Sequence, residues 1–109
     1  MKFDVVASEN FVRELKKLSK KYSSLKAEVN KLGDILAENP MFGTPLGQDC
    51  YKIRLAIKSK GKGKSGGARI ISCVIAIEDK VVLLSIYDKT VQANISYKEL
   101  ERLLRFIKS

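Results

Sequence analysis

The stretch Lys58-Ser59-Lys60-Gly61-Lys62-Gly63-Lys64-Ser65-Gly66-Gly67-Ala68-Arg69 separates two segments whose patterns predict β-strands. Lysine occupies every second position from Lys58 to Lys64, so an extended backbone would place these four side chains on one side. The interspersed glycines permit positive φ and allow a phosphate to approach main-chain N–H groups. This Lys/Gly loop (residues 58–67) is therefore either a phosphate-binding segment or a solvated hairpin loop, and the stretch alone favours neither.

The strand predicted before the loop, residues 51–57, alternates between two kinds of side chain. One face is apolar, with Ile53, Leu55 and Ile57, and the other carries Lys52 and Arg54. This alternation is typical of a strand that buries a single face. After the loop, residues 69–77 are apolar on both faces and predict a central strand. A turn at 78–80 leads to a further strand at 81–87, which completes a three-stranded meander.

The remaining segments predict one more strand and three helices. Residues 3–7 read as a short strand, after which Ser8 can cap the first helix. Ser23 or Ser24 can cap a second helix that ends before Pro40. Residues 39–48 have the composition of a loop. Ser96 and Glu99 form a capping box that begins a C-terminal helix.

The predicted order is therefore β-α-α-β-β-β-α, an α+β fold in which an antiparallel sheet carries a helical hairpin and a C-terminal helix. A chain of 109 residues with 45% hydrophobic residues is long enough for one core and too short for two ordinary domains, so residues 1–109 are expected to form a single domain.

The charge and the missing residue types restrict the possible functions. The formal net charge of +9 favours a polyanionic partner, a nucleic acid or an acidic protein segment. Histidine is absent, which excludes the usual general base and nucleophilic pairs that contain it. Cys50 and Cys73 have no metal-binding spacing and are expected to be reduced thiols. No metal or cofactor is predicted. Without an apolar span or a signal-peptide pattern, we expect no membrane association and a cytoplasmic location.

The order of elements, together with Lys62-Gly63-Lys64-Ser65-Gly66-Gly67-Ala68-Arg69 and the later Ile86-Tyr87-Asp88-Lys89-Thr90, resembles the RelE/ParE superfamily of bacterial type II toxins. Asn39-Pro40-Met41-Phe42-Gly43 and Lys52-Ile53-Arg54 are similar to the HigB-like branch. The resemblance covers essentially the whole chain. It implies a microbial RNase-like fold, cleavage of messenger RNA in the ribosomal A site (mRNA interferase activity) and inhibition by a cognate antitoxin.

Metal-independent cleavage of RNA needs a base for the 2′-hydroxyl, cations for the charged phosphorane and an acid for the leaving 5′-oxygen. Arg69 offers a planar fork of N–H donors to phosphate, although a strand-end arginine paired with a carboxylate is the structural alternative. Tyr87 can stack on a base or transfer a proton, or it can simply pack at the rim of the core. The candidate catalytic residues are Arg69, Lys64, Tyr87 and Lys89, and the candidate RNA-binding residues are Lys52, Arg54, Lys58, Lys60 and Lys62.

Two other functions fit the same sequence. A ParE-like gyrase inhibitor would bind a protein target on the same fold, without needing cations around a scissile phosphate. A basic RNA-binding module without catalysis would bind RNA in a strongly salt-dependent manner and leave it intact.

Overall fold

A computed structural model describes residues 2–61, 66–105 and 107. Five strands and three helices follow one another in the order β1 (Asp4–Ala7), α1 (Glu9–Ser19), α2 (Leu25–Glu38), β2 (Thr44–Gly47), β3 (Cys50–Leu55), β4 (Ala68–Ile75), β5 (Lys80–Asp88) and α3 (Tyr97–Leu104). The strands form one sheet in the order β1-β5-β4-β3-β2. The predicted α+β class, with a helical hairpin and a C-terminal helix, is confirmed.

Two details of the sheet differ from the prediction. Residues 39–48 are not all loop, because they include β2, which pairs with β3 through a turn at Gln48 and Asp49. Both turn residues have positive φ, 54° and 63°, as a two-residue hairpin turn requires, but Gln-Asp is not a sequence that signals such a turn. The sheet is also mixed, since β1 joins β5 in parallel while the other pairs are antiparallel.

The helices cover the sheet on both faces. The helical hairpin buries Phe11, Leu25 and Leu36 against one face, and α3 buries Leu100, Leu103 and Leu104 against the other. Burial of such side chains is the main source of stability, at roughly 1.5–3 kcal/mol each. Cys50 and Cys73 are buried thiols that lie opposite each other in the β3–β4 ladder, on the face covered by α3. No helix within the described residues is long and apolar enough to cross a membrane.

Serine residues begin two of the helices as predicted. The hydroxyl of Ser8 accepts a hydrogen bond from Phe11 N–H at 3.1 Å, and that of Ser96 accepts one from Glu99 N–H at 3.1 Å. Glu99 itself binds Arg102. Ser24 is the N-cap residue of α2, but its side chain makes no capping hydrogen bond and reaches Glu28 and Ser59 instead.

The predicted central strand is shorter than its apolar run. It ends at Ile75, and the next three residues form a 3-10 turn in which Ile77 is 94% exposed. Asp79 then adopts a positive φ of 52° and leads into β5.

The start of the Lys/Gly loop is helical and not extended. Lys58–Lys60 form a 3-10 turn, and Gly61 follows with a φ of 74°. The alternate lysines therefore do not line one side of an extended strand here. Lys62 and Lys64 lie outside the described residues, so the prediction for the rest of the loop remains a prediction.

Candidate active site

Three of the predicted site residues form a row across the face of the sheet that α3 covers. Arg54 on β3 lies opposite Arg69 on β4, and Arg69 lies opposite Tyr87 on β5. Directly paired residues in an antiparallel ladder share a face, with Cβ atoms about 4.5–5.5 Å apart. Arg54 is exposed, while Arg69 and Tyr87 are only 4% and 6% exposed. The row thus runs from solvent into the sheet beside the packing of α3.

The electrostatics of the row favour an anion. Burial lowers the pKa of Arg69, and the neighbouring Arg54 lowers it further, while Tyr87 opposes this shift. The guanidinium nevertheless stays charged, because arginine is not deprotonated in proteins. Two cations on adjacent strands repel each other, and an anion placed between them removes that repulsion. The row is suited to a phosphate group.

Tyr87 is a neutral phenol at ordinary pH. Burial raises its pKa, and the opposing effect of Arg69 does not outweigh it. Its buried hydroxyl has no hydrogen-bond partner within the described part of the chain. The side chain is therefore equipped to donate a proton or a hydrogen bond and not to act as a phenolate base.

The segment between β5 and α3 forms a wall beside this row. Lys52 Nζ donates to Asn94 Oδ1 at 3.3 Å, which ties β3 to the segment. Lys89 Nζ donates to the Ala93 carbonyl at 2.9 Å within the segment. Lys52 lies two residues before Arg54 on β3 and therefore on the same face of the sheet, whereas the ammonium group of Lys89 is held within the segment that follows β5.

A buried polar cluster lies at the end of β5, next to Tyr87 in sequence. The Asp88 carboxylate accepts hydrogen bonds from Lys60 Nζ at 2.5 Å, Tyr22 Oη at 2.7 Å, Thr90 N–H at 2.9 Å and Thr90 Oγ1 at 2.8 Å. Burial by itself raises the pKa of Asp88, but the hydrogen bonds from Lys60, Tyr22 and Thr90 outweigh burial and hold the pKa well below its usual range. Lys60 Nζ also lies 5.4 Å from the centre of the Tyr22 ring.

A second cluster holds the start of the Lys/Gly loop against the helical hairpin. Lys58 N–H donates to Glu28 Oε2 at 2.8 Å, and Ser59 N–H donates to Ser24 Oγ at 3.0 Å. Ser24 Oγ donates to Glu28 Oε1 at 2.9 Å, which links the two contacts. The 3-10 turn at Lys58–Lys60 is therefore fixed by side chains from α2 and from the turn that precedes it.

The structure separates those predicted cations that it describes. Arg54 and Arg69 lie together with Tyr87, Lys52 shares the face of Arg54, and Lys89 is held in the segment after β5. Lys58 is exposed at the loop base, whereas the ammonium group of Lys60 is buried against Asp88. The predicted catalytic and RNA-binding roles of all nine candidates remain predictions.

Sequence reasoning missed the two polar clusters. Asp88 stood out only as part of a motif, and Tyr22 lay outside every motif. An ion pair between residues 28 positions apart has no local signal in the sequence. A buried carboxylate needs compensating partners, but their identity follows only from the fold.

The fold is shared with toxins of solved toxin–antitoxin systems. A mutant of the E. coli toxin RelE in the free state matches with a TM-score of 0.64 and 22% identity, covering 98% of this chain and 99% of that one. The intact E. coli RelBE toxin-antitoxin complex contains a chain that matches with a TM-score of 0.62 and 25% identity, over 79% of this chain and 95% of that one. A chain of the RelBE2 complex of Mycobacterium tuberculosis matches with a TM-score of 0.60 and 21% identity, over 81% and 92%.

The small α+β fold is thus the fold of the E. coli toxin RelE. The family described as "RelE toxin of RelE / RelB toxin-antitoxin system" matches residues 4–109 of the chain. The protein belongs to this family, and it is a toxin of the type II toxin–antitoxin class. Membership in the RelE group confirms the superfamily that the sequence motifs resemble, while the HigB-like branch stays a prediction.

Proposed function

We propose that this toxin is a ribosome-dependent endoribonuclease of the HigB-like branch that cleaves messenger RNA without a metal ion and so inhibits translation. The observation that carries the proposal is the row formed by Arg54, Arg69 and Tyr87. Two guanidinium groups on adjacent strands can hold a phosphate, and a neutral phenol stands next to them. These are the groups that in-line cleavage by a 2′-hydroxyl requires for charge stabilisation and proton donation.

In the proposed mechanism, Arg69 and Arg54 bind the scissile phosphate and stabilise the charge of the phosphorane. Tyr87 donates a hydrogen bond or a proton to the reacting oxygens. Lys64 is a candidate for proton transfer, Lys89 holds a phosphate beside Tyr87, and Lys52, Lys58 and Lys62 bind the RNA backbone. Attack by the 2′-oxygen breaks the bond to the 5′-oxygen, so the products are a 2′,3′-cyclic phosphate and a 5′-hydroxyl.

The protein partner of this toxin is proposed to be an antitoxin. E. coli RelE is present with its antitoxin in the RelBE complex, and a mutant of it has also been solved with an antitoxin peptide. A net charge of +9 favours an acidic or amphipathic segment as the inhibitor. Such a segment can neutralise the toxin by covering the cations of the sheet face.

The test is a translating extract supplied with purified toxin and a defined message, followed by primer extension. We expect cleavage at positions fixed relative to the reading frame, and new ends that a polynucleotide kinase labels without prior phosphatase treatment. Arg69→Ala should reduce cleavage by about 10²–10³-fold, the usual effect of removing a donor that stabilises transition-state charge.

Two further measurements, of DNA damage on induction and of RNA binding over a range of salt concentrations, separate the alternatives. Intact messages combined with gyrase-dependent DNA damage would show a ParE-like gyrase inhibitor. RNA binding that weakens steeply with salt, without new ends, would show a non-catalytic module.

A further inference from the structure

The Asp88 carboxylate stands at a convergence of four chain segments. Its hydrogen-bond donors come from the turn after α1 (Tyr22), the start of the Lys/Gly loop (Lys60) and the turn after β5 (Thr90), while Asp88 itself ends β5. The side chains of Lys60 and Asp88 are 9% and 3% exposed. The ion pair between Lys60 and Asp88 is therefore buried in the protein and is not a surface contact.

The Asp88 carboxylate holds the entrance of the Lys/Gly loop, because Lys60 Nζ contacts it at 2.5 Å. The exit of the loop reaches the same end of β5 through the main chain. There Ala68 is the ladder partner of Asp88, and the Gly67 carbonyl accepts a hydrogen bond from Lys89 N–H at 3.0 Å.

The proposed catalytic groups are immediate neighbours of these attachment points. Tyr87 precedes Asp88 and Lys89 follows it, while Arg69 follows Ala68. A shift of the loop base or of the end of β5 would change the placement of Tyr87 opposite Arg69. Misplacement by about 1 Å can cost on the order of 10²-fold in rate when a reaction depends on orientation.

We infer that Asp88 is a positioning residue, which with Lys60 and Tyr22 fixes the base of the Lys/Gly loop to the end of β5 and so holds Tyr87 in register with Arg69. This inference rests on the proposed nuclease function. It assigns Lys60 to this attachment, where its ammonium group orients the loop instead of contacting RNA. Removing one partner of a buried ion pair lowers stability as well, so the experiment must separate a loss of activity from a loss of folding.

The experiment compares Asp88→Asn, Lys60→Met and Tyr22→Phe with the wild-type toxin. Glu99→Gln is the matched control, because it breaks the exposed Glu99–Arg102 pair on α3 without touching Asp88 or its partners. Two measurements are made on each purified protein. One is amide hydrogen exchange resolved to residues 58–61 and 66–68, and the other is single-turnover cleavage of a defined message over a range of ribosome concentrations.

For Asp88→Asn we expect faster exchange at residues 58–61, which the carboxylate holds through Lys60, with unchanged exchange at residues 66–68 and in the centre of β4. The maximal cleavage rate should fall by about tenfold or more, while the half-saturating ribosome concentration changes by less than about threefold, as expected when orientation and not binding is lost. Glu99→Gln should match the wild type in both measurements.

Maximal cleavage at the wild-type rate by folded Asp88→Asn protein would overturn the inference, as would a loss that merely equals the unfolded fraction. If Asp88→Asn does not fold, the Tyr22→Phe variant tests the inference instead. It removes the hydrogen bond from Tyr22 to Asp88 and keeps the ion pair between Lys60 and Asp88. If the wild-type protein leaves messages intact, the proposed function fails, and hydrogen exchange at residues 58–61 alone decides whether Asp88 fixes the base of the loop.

Discussion

At the scale of single residues, the candidate site is defined by two arginines and one tyrosine that the ladder places side by side. Arg54 and Arg69 repel each other, and burial adds to the cost of charge on Arg69. A bound phosphate would compensate both the repulsion between the two arginines and the cost of burying the charge of Arg69, because it accepts bidentate hydrogen bonds from a guanidinium group. Lysine would supply charge but not this planar geometry. Arg54 and Arg69 are therefore candidates for binding a phosphate.

Tyr87→Phe tests whether the phenolic hydroxyl serves the reaction. The hydroxyl is buried without a hydrogen-bond partner among the described residues, so its removal should leave the free energy of unfolding unchanged or raise it by up to about 1 kcal/mol. Cleavage should fall by about 10²-fold or more, because a proton donor is lost. Urea unfolding and single-turnover cleavage measure the two effects. Full activity in this variant would restrict Tyr87 to packing against α3.

The pKa of Asp88 predicts a definite pH dependence of stability. The pKa of an aspartate in the unfolded chain is about 3.9, and the folded value lies below it, so the charged carboxylate stabilises the fold above about pH 4. Wild type should exceed Asp88→Asn by about 3 kcal/mol at pH 7, since the variant leaves Lys60 buried without its counter-charge.

This advantage should shrink as the pH falls below about 4, where the unfolded chain begins to take up the proton. Urea unfolding at pH 7, 5 and 3 provides the measurement. Glu99→Gln serves as the comparison, with a difference below about 1 kcal/mol, because its ion pair is exposed. A difference between wild type and Asp88→Asn that does not change with pH would contradict the assignment of a lowered pKa.

At the scale of secondary-structure elements, the site depends on how closely β3 and β4 approach at the loop. Gly67 lies where a Cβ atom would be 2.1 Å from the Leu55 carbonyl oxygen. Only glycine fits there without a backbone shift. The approach lets β4 start directly beside the end of β3, and this brings Arg69 opposite Arg54. The glycine thus positions the arginine pair.

Gly67→Ala should destabilise the fold by about 2–3 kcal/mol, the usual cost of overpacking, because the new Cβ would collide with backbone. Gly33→Ala is the matched control. A Cβ at Gly33 would meet nothing within 4 Å, and in the interior of α2 the change should stabilise by about 0.5–1 kcal/mol. Chemical denaturation compares the two variants. Equal stability of both would show that β3 and β4 do not approach so closely.

At the scale of the whole molecule, the helical hairpin and the cationic row lie on opposite faces of one sheet. The hairpin still reaches the site, because the turn after α1 and the start of α2 hold the base of the Lys/Gly loop through Tyr22, Ser24 and Glu28. The core on one face therefore supports the chemistry proposed for the other. The net charge of +9 adds a long-range attraction for a polyanion.

Binding to ribosomes should weaken as salt rises, with a slope set by the number of phosphate contacts. Lys58→Gln removes an exposed cation at the loop base and should reduce the slope of log K against log salt by about 0.7–0.9. Lys2→Gln is the control, because Lys2 pairs with Glu38 at the opposite end of α2. Binding titrations at several salt concentrations measure the slope, and equal slopes for both variants would remove Lys58 from the RNA interface.

Local patterns in the sequence predicted most of the elements. The alternation around Ile53, the helical spacing after Ser8 and the capping box at Ser96 are patterns among residues that are close in sequence. The three elements that they predict, β3, α1 and α3, are present in the structure. β2 was missed because its turn uses Gln48 and Asp49, whose positive φ values depend on the strand pairing around them. The parallel addition of β1 to β5 likewise depends on contacts distant in sequence.

For the candidate site, the sequence by itself determined which side chains are available: a cationic loop bounded by two strands, Arg69 at the start of β4 and Tyr87 near the end of β5. Only the tertiary structure decided how they are used. It placed Arg54, Arg69 and Tyr87 in one row, and it removed Lys60 from the surface by pairing it with Asp88 and Tyr22. The reason is that strand register and the compensation of buried charge are set by long-range contacts.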